Sequence, residues 1–184
     1  MGDKNQLQFL KSRVPTIDGP VLEVGSRSTD TPTVSFRDVY PEYVGVDLAP
    51  GNGVDVVADL SKPNPLPEGH FSLVICCSVL EHVESPWAVA ENITKLLRPG
   101  GTVYVSVPWI WRYHAYPADF WRFSWQGIEK LFPEIKWGEP MYSTTRVGEF
   151  FPAVPDADNN LAQKIDGRKF IPYLMLHMLG AKWT

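Results

Sequence analysis

The chain has 184 residues, 44% hydrophobic and 21% charged, which suits one globular domain with a full core. A formal net charge of −4 without any Lys/Arg run argues against a polyanion, so no nucleic acid is expected as partner. The opening MGDKNQLQFLKSRVPTIDG lacks the apolar centre of a secretion signal, and Phe170–Leu179 is too short to span a bilayer, so no membrane is expected either.

Short apolar strands alternate with helical segments, the pattern of a parallel sheet with crossover helices. VLEVG (Val21–Gly25) is a first strand that stops at a glycine. STDTPTVSFRDVYPE follows and is poor helix material, so the first crossover should be short or irregular. YVGVD (Tyr43–Asp47), VDVVA (Val54–Ala58), FSLVICC (Phe71–Cys77) and TVYVSVP (Thr102–Pro108) are four further strands. Cys76 and Cys77 are neighbours on one of them and should face opposite ways, so no disulfide or metal-binding cysteine pattern is expected. That cysteine usage suits a reducing cytoplasmic setting. SPWAVAENITKLLRPGG is the clearest helix, with Ser85 at its N-cap, Pro86 at its first position and Arg98 suited to its negative end. A second helix should start near Ser124. Beyond about Gly138, MYSTTRVGEF reads as strand and LAQKIDGRKFIPYLMLHML as mostly helix, with Phe170–Leu179 as a docked terminal helix.

In an open parallel sheet, ligands bind at the carboxyl ends of the strands near the point where strand order reverses. Glu23, Gly25 and Ser26 leave the first strand, and Gly25 would let a ligand approach the backbone. Asp47 closes the second strand roughly twenty residues later, the separation at which an acid reaches a ribose diol. Asp59 closes the third. Three acids at successive strand ends suit a ligand with hydroxyls, an amino group and positive charge. They suit a pyrophosphate poorly, and the loop has one glycine where G-x-G-x-x-G is wanted, which weakens a nicotinamide reading.

These motifs resemble the class I S-adenosylmethionine-dependent methyltransferases, in the broad small-molecule group called type 11. The resemblance covers Val21 to Leu131 and rests on VLEVGSRS, YVGVDLA, VVADLSKPNPLPEGHFSLVICCSVLEHV and LLRPGGTVYVSVP in order. Ser26 and Ser28 stand where further glycines are common, and Ser72 replaces a usual aspartate. The resemblance implies S-adenosyl-L-methionine as cofactor and S-adenosyl-L-homocysteine as product. It implies that Asp47, with Leu48 beside it, holds the ribose, that Asp59 and Leu60 hold the adenine, and that Cys77 and Ser78 line the methionine end. It also implies a Rossmann-like, doubly wound, mostly parallel α/β sheet with flanking helices. A single domain over residues 1–184 is expected, with a cofactor core at about 15–110 and acceptor-side elements at about 111–184.

A sulfonium donor is already activated, so the chemistry needs alignment and exclusion of water, and no metal is expected. DADNN (Asp156–Asn160) fails as a calcium loop, because Leu161 and Gly167 stand where glycine and glutamate are needed. A proton-bearing acceptor would need a base. The candidates are His114, His82 and Asp119, while His70 and His177 suit surface or packing roles. The resembled family carries an H-x-x-P-x-D-x-x-R-F block after the fifth strand, as YHAYPADFWRF does here. Trp111, Tyr113, Tyr116 and Arg122 would then face a small-molecule acceptor. Two readings of this block stand: a packed aromatic corner with an Asp119–Arg122 ion pair, or an acceptor wall. The activity expected is methyl transfer to oxygen or nitrogen. The alternative is a non-catalytic cofactor-binding or scaffold subunit of the same fold, and a homo-oligomer is compatible with either.

Overall fold

The structure is a computed structural model and describes residues 2–28, 35–115, 117–153 and 173–184. Helix α1 (Gly2–Arg13) leads into strand β1 (Val21–Val24), followed by β2 (Tyr43–Asp47), β3 (Val56–Val57) and β4 (Phe71–Cys77). A single 3-10 turn, η1 (Leu80–His82), precedes helix α2 (Pro86–Leu96) and the long strand β5 (Leu97–Ile110). Helix α3 (Trp125–Leu131), β6 (Ile135–Trp137), β7 (Met141–Ser143), β8 (Phe150–Pro152) and β9 (Leu174–Lys182) are the remaining elements among the described residues.

The sheet order is β3-β2-β1-β4-β5-β9-β7-β8, with β6 also paired to β9. The first five of these strands run parallel. Strand β9 joins β5 antiparallel, so the sheet as a whole is mixed. Order reverses between β1 and β4, which puts the ligand crevice at their carboxyl ends.

Side chains alternate across the strands and bury two cores. Leu22, Val24, Val74, Cys76, Val103 and Val105 face α2 and α3. Val21, Leu73, Ile75 and Tyr104 face Phe9 and Leu10 of α1, with Cys77 packed on that side. The adjacent cysteines thus point to opposite faces, as expected.

Helix α2 starts at Pro86 with Ser85 at its cap, but the Ser85 side chain makes no capping bond; its carbonyl accepts the Ala88 amide instead. The cation at the helix end is also not Arg98, whose guanidinium donates to the Asp18 carbonyl. Lys182 of β9 donates to the carbonyls of Thr94 (2.7 Å) and Leu97 (3.2 Å) instead. Helix α3 is capped as its sequence predicts, the Ser124 hydroxyl accepting the Gly127 amide.

The expected terminal helix needs correction. Leu174–Leu179 is not a terminal helix but the first part of β9, hydrogen-bonded to β5 on one side and β6 and β7 on the other. A continuous apolar run buried on both faces carries no period that separates strand from helix. The remainder of that predicted helix, the DADNN segment and much of the first crossover lie outside the described residues. Helix α1 was also not foreseen. Among its described side chains only Phe9 and Leu10 give it a fully buried apolar contact, and its other inward residues, Asn5 and Gln6, are polar. Asn5 donates to the Thr144 and Arg146 carbonyls and accepts the Gly148 amide, which satisfies it inside the fold.

His177 of β9 is buried between the Tyr104 hydroxyl (2.7 Å from Nδ1) and the Ser143 hydroxyl (2.7 Å from Nε2), with Phe9 stacked at 5.0 Å. Burial, with a smaller contribution from Arg13, pushes its pKa down to about 3. The imidazole is neutral in the fold and charged in the unfolded chain below about 6.5. Its contribution is therefore complete above pH 6.5 and lost as pH falls from there towards 3, at roughly 1.4 kcal/mol per pH unit. Urea midpoints measured from pH 7.5 to 5 should fall more steeply for the wild type than for His177→Asn. Parallel curves would remove this residue from the acid sensitivity.

Candidate active site

The crevice is built from the loops after β1, β2 and β4. Gly25 ends β1 with φ +75°, a conformation that glycine adopts without strain. A Cβ there would collide with Val79, so the glycine is needed for packing as well as for access. The amides of Gly25 (2.9 Å) and Ser26 (3.2 Å) both donate to the Val46 carbonyl, which ties this loop to the end of β2. Asp47 is partly buried there. Its carboxylate accepts the amides of Arg27 and Ala49, each at 3.2 Å, and pairs with the Arg27 guanidinium at 3.7 Å. Leu48 beside it is 63% exposed, an apolar surface on the crevice. The Ser26 hydroxyl is buried and has no hydrogen-bond partner among the described residues.

Ser78 leaves β4 in the left-handed region, φ 54°, the only described non-glycine residue to do so. Its amide donates to the Ser106 carbonyl (2.8 Å), and its hydroxyl accepts from Gln6 of α1 (3.1 Å). Cys77 precedes it at the strand end.

The other two predicted acids, Glu23 and Asp59, have partners within the fold. The Tyr43 hydroxyl donates to Glu23 at 2.5 Å, and burial holds that phenol far above its usual pKa. The Asp59 carboxylate caps its own turn, accepting the Ser61 amide (2.9 Å) and hydroxyl (2.6 Å) and pairing with Lys62 (3.0 Å). The Ser61 hydroxyl bond is the main cause holding Asp59 below its usual value. The Leu60 side chain is buried in the core, and its carbonyl accepts from Asn92 of α2.

Beyond Ser78, η1 meets the segment that follows β5. The amides of Phe120 (2.8 Å) and Trp121 (3.3 Å) donate to the Glu81 carbonyl, and the Trp121 indole donates to the Val83 carbonyl (2.9 Å). His82 Nδ1 lies 2.5 Å from the Ala118 carbonyl. These bonds strap residues 118–121 onto η1. The straps set the His82 and His114 rings edge to face with centroids 4.9 Å apart. Burial is the main cause lowering the His82 pKa.

Asp119 is buried and paired within the block. Its side chain is 1% exposed; it takes both terminal nitrogens of Arg122 and accepts the His114 amide at 2.8 Å. The Arg122 hydrogen bonds hold its carboxyl far below the usual range. Arg122, expected on the acceptor, also donates to the Trp121 and Arg112 carbonyls, so its guanidinium is a brace. His114 differs: its side chain is 31% exposed. Trp111 packs at a tilt against both His114 and Tyr173, while Tyr113 is 75% exposed. Tyr116 lies outside the described residues. The block is therefore a packed corner built on Asp119–Arg122 that presents His114 at its rim. His70 is exposed against Phe71, in keeping with a surface role.

One residue here was not anticipated. Glu81 is fully buried, and neither carboxylate oxygen has a hydrogen-bond partner among the described residues. Burial pushes its pKa up to about 8. Its only signal in sequence is an acid directly before His82.

A methyltransferase domain family matches residues 6–153, most of the chain. The chain belongs to that methyltransferase family. The methyltransferase match extends the earlier resemblance to include Gln6 of α1 and the β7–β8 hairpin, and it bears out the class I assignment. A ubiquinone biosynthesis O-methyltransferase of Xylella fastidiosa is 30% identical over 117 residues, 55% of this chain and 46% of the relative. The thiol S-methyltransferase TMT1B of Homo sapiens is 34% identical over 73 residues, 40% of this chain and 28% of the relative. The chain thus spans half or less of the length of these two curated relatives. Its methyltransferase fold is shared with the 1,6-didemethyltoxoflavin-N1-methyltransferase of Burkholderia thailandensis, solved with S-adenosylhomocysteine. The TM-score is 0.64 at 16% identity, over 97% of this chain and 77% of that one.

Proposed function

We propose that the chain transfers a methyl group from S-adenosylmethionine to an oxygen or nitrogen of a small-molecule acceptor. What supports the reading is one crevice: Gly25, Asp47 and Ser78 at the strand ends where sheet order reverses, with His82 and His114 just beyond. The residues present fit the cofactor. The Asp47 carboxyl offers acceptor oxygens for ribose hydroxyls, exposed Leu48 covers an adenine face, and the orphaned Ser26 hydroxyl offers a polar contact. The backbone at Cys77 and Ser78 receives the methionine end, held in its left-handed turn by Gln6.

The cofactor supplies an activated methyl on a sulfonium and leaves as S-adenosylhomocysteine. The protein then has to position the acceptor and remove its proton. His114 is the exposed nitrogen base on the acceptor side, with Asp119 fixing its backbone and ring. Trp111 and Tyr113 offer flat apolar surface for a planar acceptor. The relatives are named for oxygen, sulfur and nitrogen acceptors. A positioned imidazole is of most use to a hydroxyl or amine, which holds its proton more tightly than a thiol.

Isothermal titration with S-adenosylmethionine and S-adenosylhomocysteine tests the reading. Wild type should bind both, and Asp47→Asn should lose about 1.5–3 kcal/mol, or roughly 10- to 150-fold. Absence of binding at millimolar ligand by folded protein overturns the proposal. Unchanged affinity in Asp47→Asn overturns the role of that residue.

A further inference from the structure

Two imidazoles and a carboxylate meet beside the acceptor side of the crevice with no proton placed to join them. Among the described residues, Glu81 Oε1 and Oε2 have no hydrogen-bond partner, and the residue is wholly buried. A buried carboxylate in that condition needs a cation or a proton. The imidazole of His82 lies beside it, with Nε2 3.7 Å from Oε1. The other ring nitrogen of His82 faces the Ala118 carbonyl at 2.5 Å, and a carbonyl only accepts, so the proton sits on Nδ1. Neutral His82 therefore directs a lone pair at a carboxylate, across a gap too long for a shared proton.

His114 repeats the arrangement. Its Nδ1 faces two acceptors, the Asp119 carboxylate and the Arg112 carbonyl, each at 3.2 Å. In the neutral ring this geometry favours the tautomer with the proton on Nδ1, which leaves a lone pair on Nε2. One ligand atom from each of Glu81, His82 and His114 can be chosen so that all three lie within 4.8 Å of one another. Ligands of a tetrahedral ion at about 2.1 Å stand about 3.4 Å apart, so a modest inward turn of the side chains closes the set.

We propose that Glu81, His82 and His114 form a binding site for a divalent transition-metal ion of the zinc type, with a coordination position left open towards the acceptor. Two imidazoles with one carboxylate suit zinc or cobalt and suit magnesium or calcium poorly. Three protein ligands and an open position are the arrangement of zinc sites that act on a substrate. The outer partners fit as well: a backbone carbonyl fixes the His82 ring, and a carboxylate anchored by Arg122 fixes that of His114. Asp119 then has a purpose without touching the acceptor. The site's role rests on the methyl-transfer reading above. With the ion bound, His114 Nε2 is a ligand, and this replaces its role as base; an acceptor hydroxyl on the ion would release its proton to solvent, and its oxygen would attack the methyl carbon. The carbon–sulfur electron pair stays on sulfur, giving an ether and neutral S-adenosylhomocysteine.

The test is cobalt titration of chelator-treated, full-length protein, followed by visible absorption and displaced by zinc. One cobalt per chain with d–d bands is expected. His114→Ala and Glu81→Gln should each weaken cobalt binding by at least about 100-fold, since even outer partners are worth 10- to 100-fold. Both variants should keep their affinity for S-adenosylhomocysteine. Absence of the bands in wild type that still binds S-adenosylhomocysteine overturns the metal site alone. Equal cobalt affinity in wild type and His114→Ala, which alters a part-exposed side chain and should fold, overturns it too. Cobalt bands without cofactor binding would instead overturn the methyl-transfer reading and leave the metal site standing.

Discussion

Arg122→Leu should destabilise the fold by about 3 kcal/mol, the lower end of the cost of breaking a buried pair. The reason lies in its partner. Asp119 keeps 1% of its side-chain surface and takes both terminal guanidinium nitrogens, so removing Arg122 strands a charge inside the protein. Arg122 itself keeps a quarter of its surface in water, which lets solvent reach the vacated space and places the cost at the lower end. The double variant Asp119→Leu/Arg122→Leu should recover much of the loss, because no unpaired charge then remains. Urea unfolding of the three proteins decides it. A single-variant cost below about 1 kcal/mol would make the pair an ordinary surface bridge.

Gly45→Ala should cost about 3 kcal/mol, at the upper end for added volume in a packed site, and should weaken cofactor binding as well. A Cβ at this position in β2 would press into the Gly53 carbonyl oxygen and stand 2.6 Å from the Ser26 hydroxyl. The first obstacle is backbone and cannot rotate away. The second belongs to the loop after β1, and Gly45 itself stands two strand positions before Asp47. The Gly45 amide also donates to Asp55 at 2.8 Å, which fixes the β2–β3 connection. The methyl group therefore forces apart the two loops that flank Asp47. Unfolding midpoints and cofactor titration on one preparation test both halves. Full stability with wild-type affinity would show that the loops yield freely.

The parallel half of the sheet was legible because each strand is an apolar run closed by a recognisable stop, as Gly25 closes β1 and Asp47 closes β2. Strand β3 proved shorter than VDVVA suggested, because only Val56 and Val57 find ladder partners on β2. The antiparallel half was less legible. β9 reads equally as helix until its neighbours are known, and those neighbours, β5 and β7, are distant in sequence. Helix α1 hides for another reason: its inward polar residues look solvated until Thr144, Arg146, Ser78 and Ser106 appear opposite them. At the candidate site, Asp47 ends β2 and His114 follows β5, where their sequence positions put them. Asp59 has the same sequence logic as Asp47 yet caps its own turn with Ser61, a local hydrogen bond that short polar residues readily make. Glu81 was not visible at all, since an orphaned carboxylate is defined by what fails to surround it.

The bonds from Asn5 to the turn between β7 and β8 also set an order of events in folding. The helix that carries Asn5 and Gln6 is separated from Thr144 and Gly148 by some 140 residues of chain. Its inward amides cannot be matched until β9 has threaded between β5 and β7 and that hairpin has closed. Closing contacts of such sequence separation carries an entropic cost that local contacts do not. The turn at Ser78 that Gln6 braces is then among the last parts of the crevice to take shape. A nascent chain would hold its sheet well before it could hold its ligand.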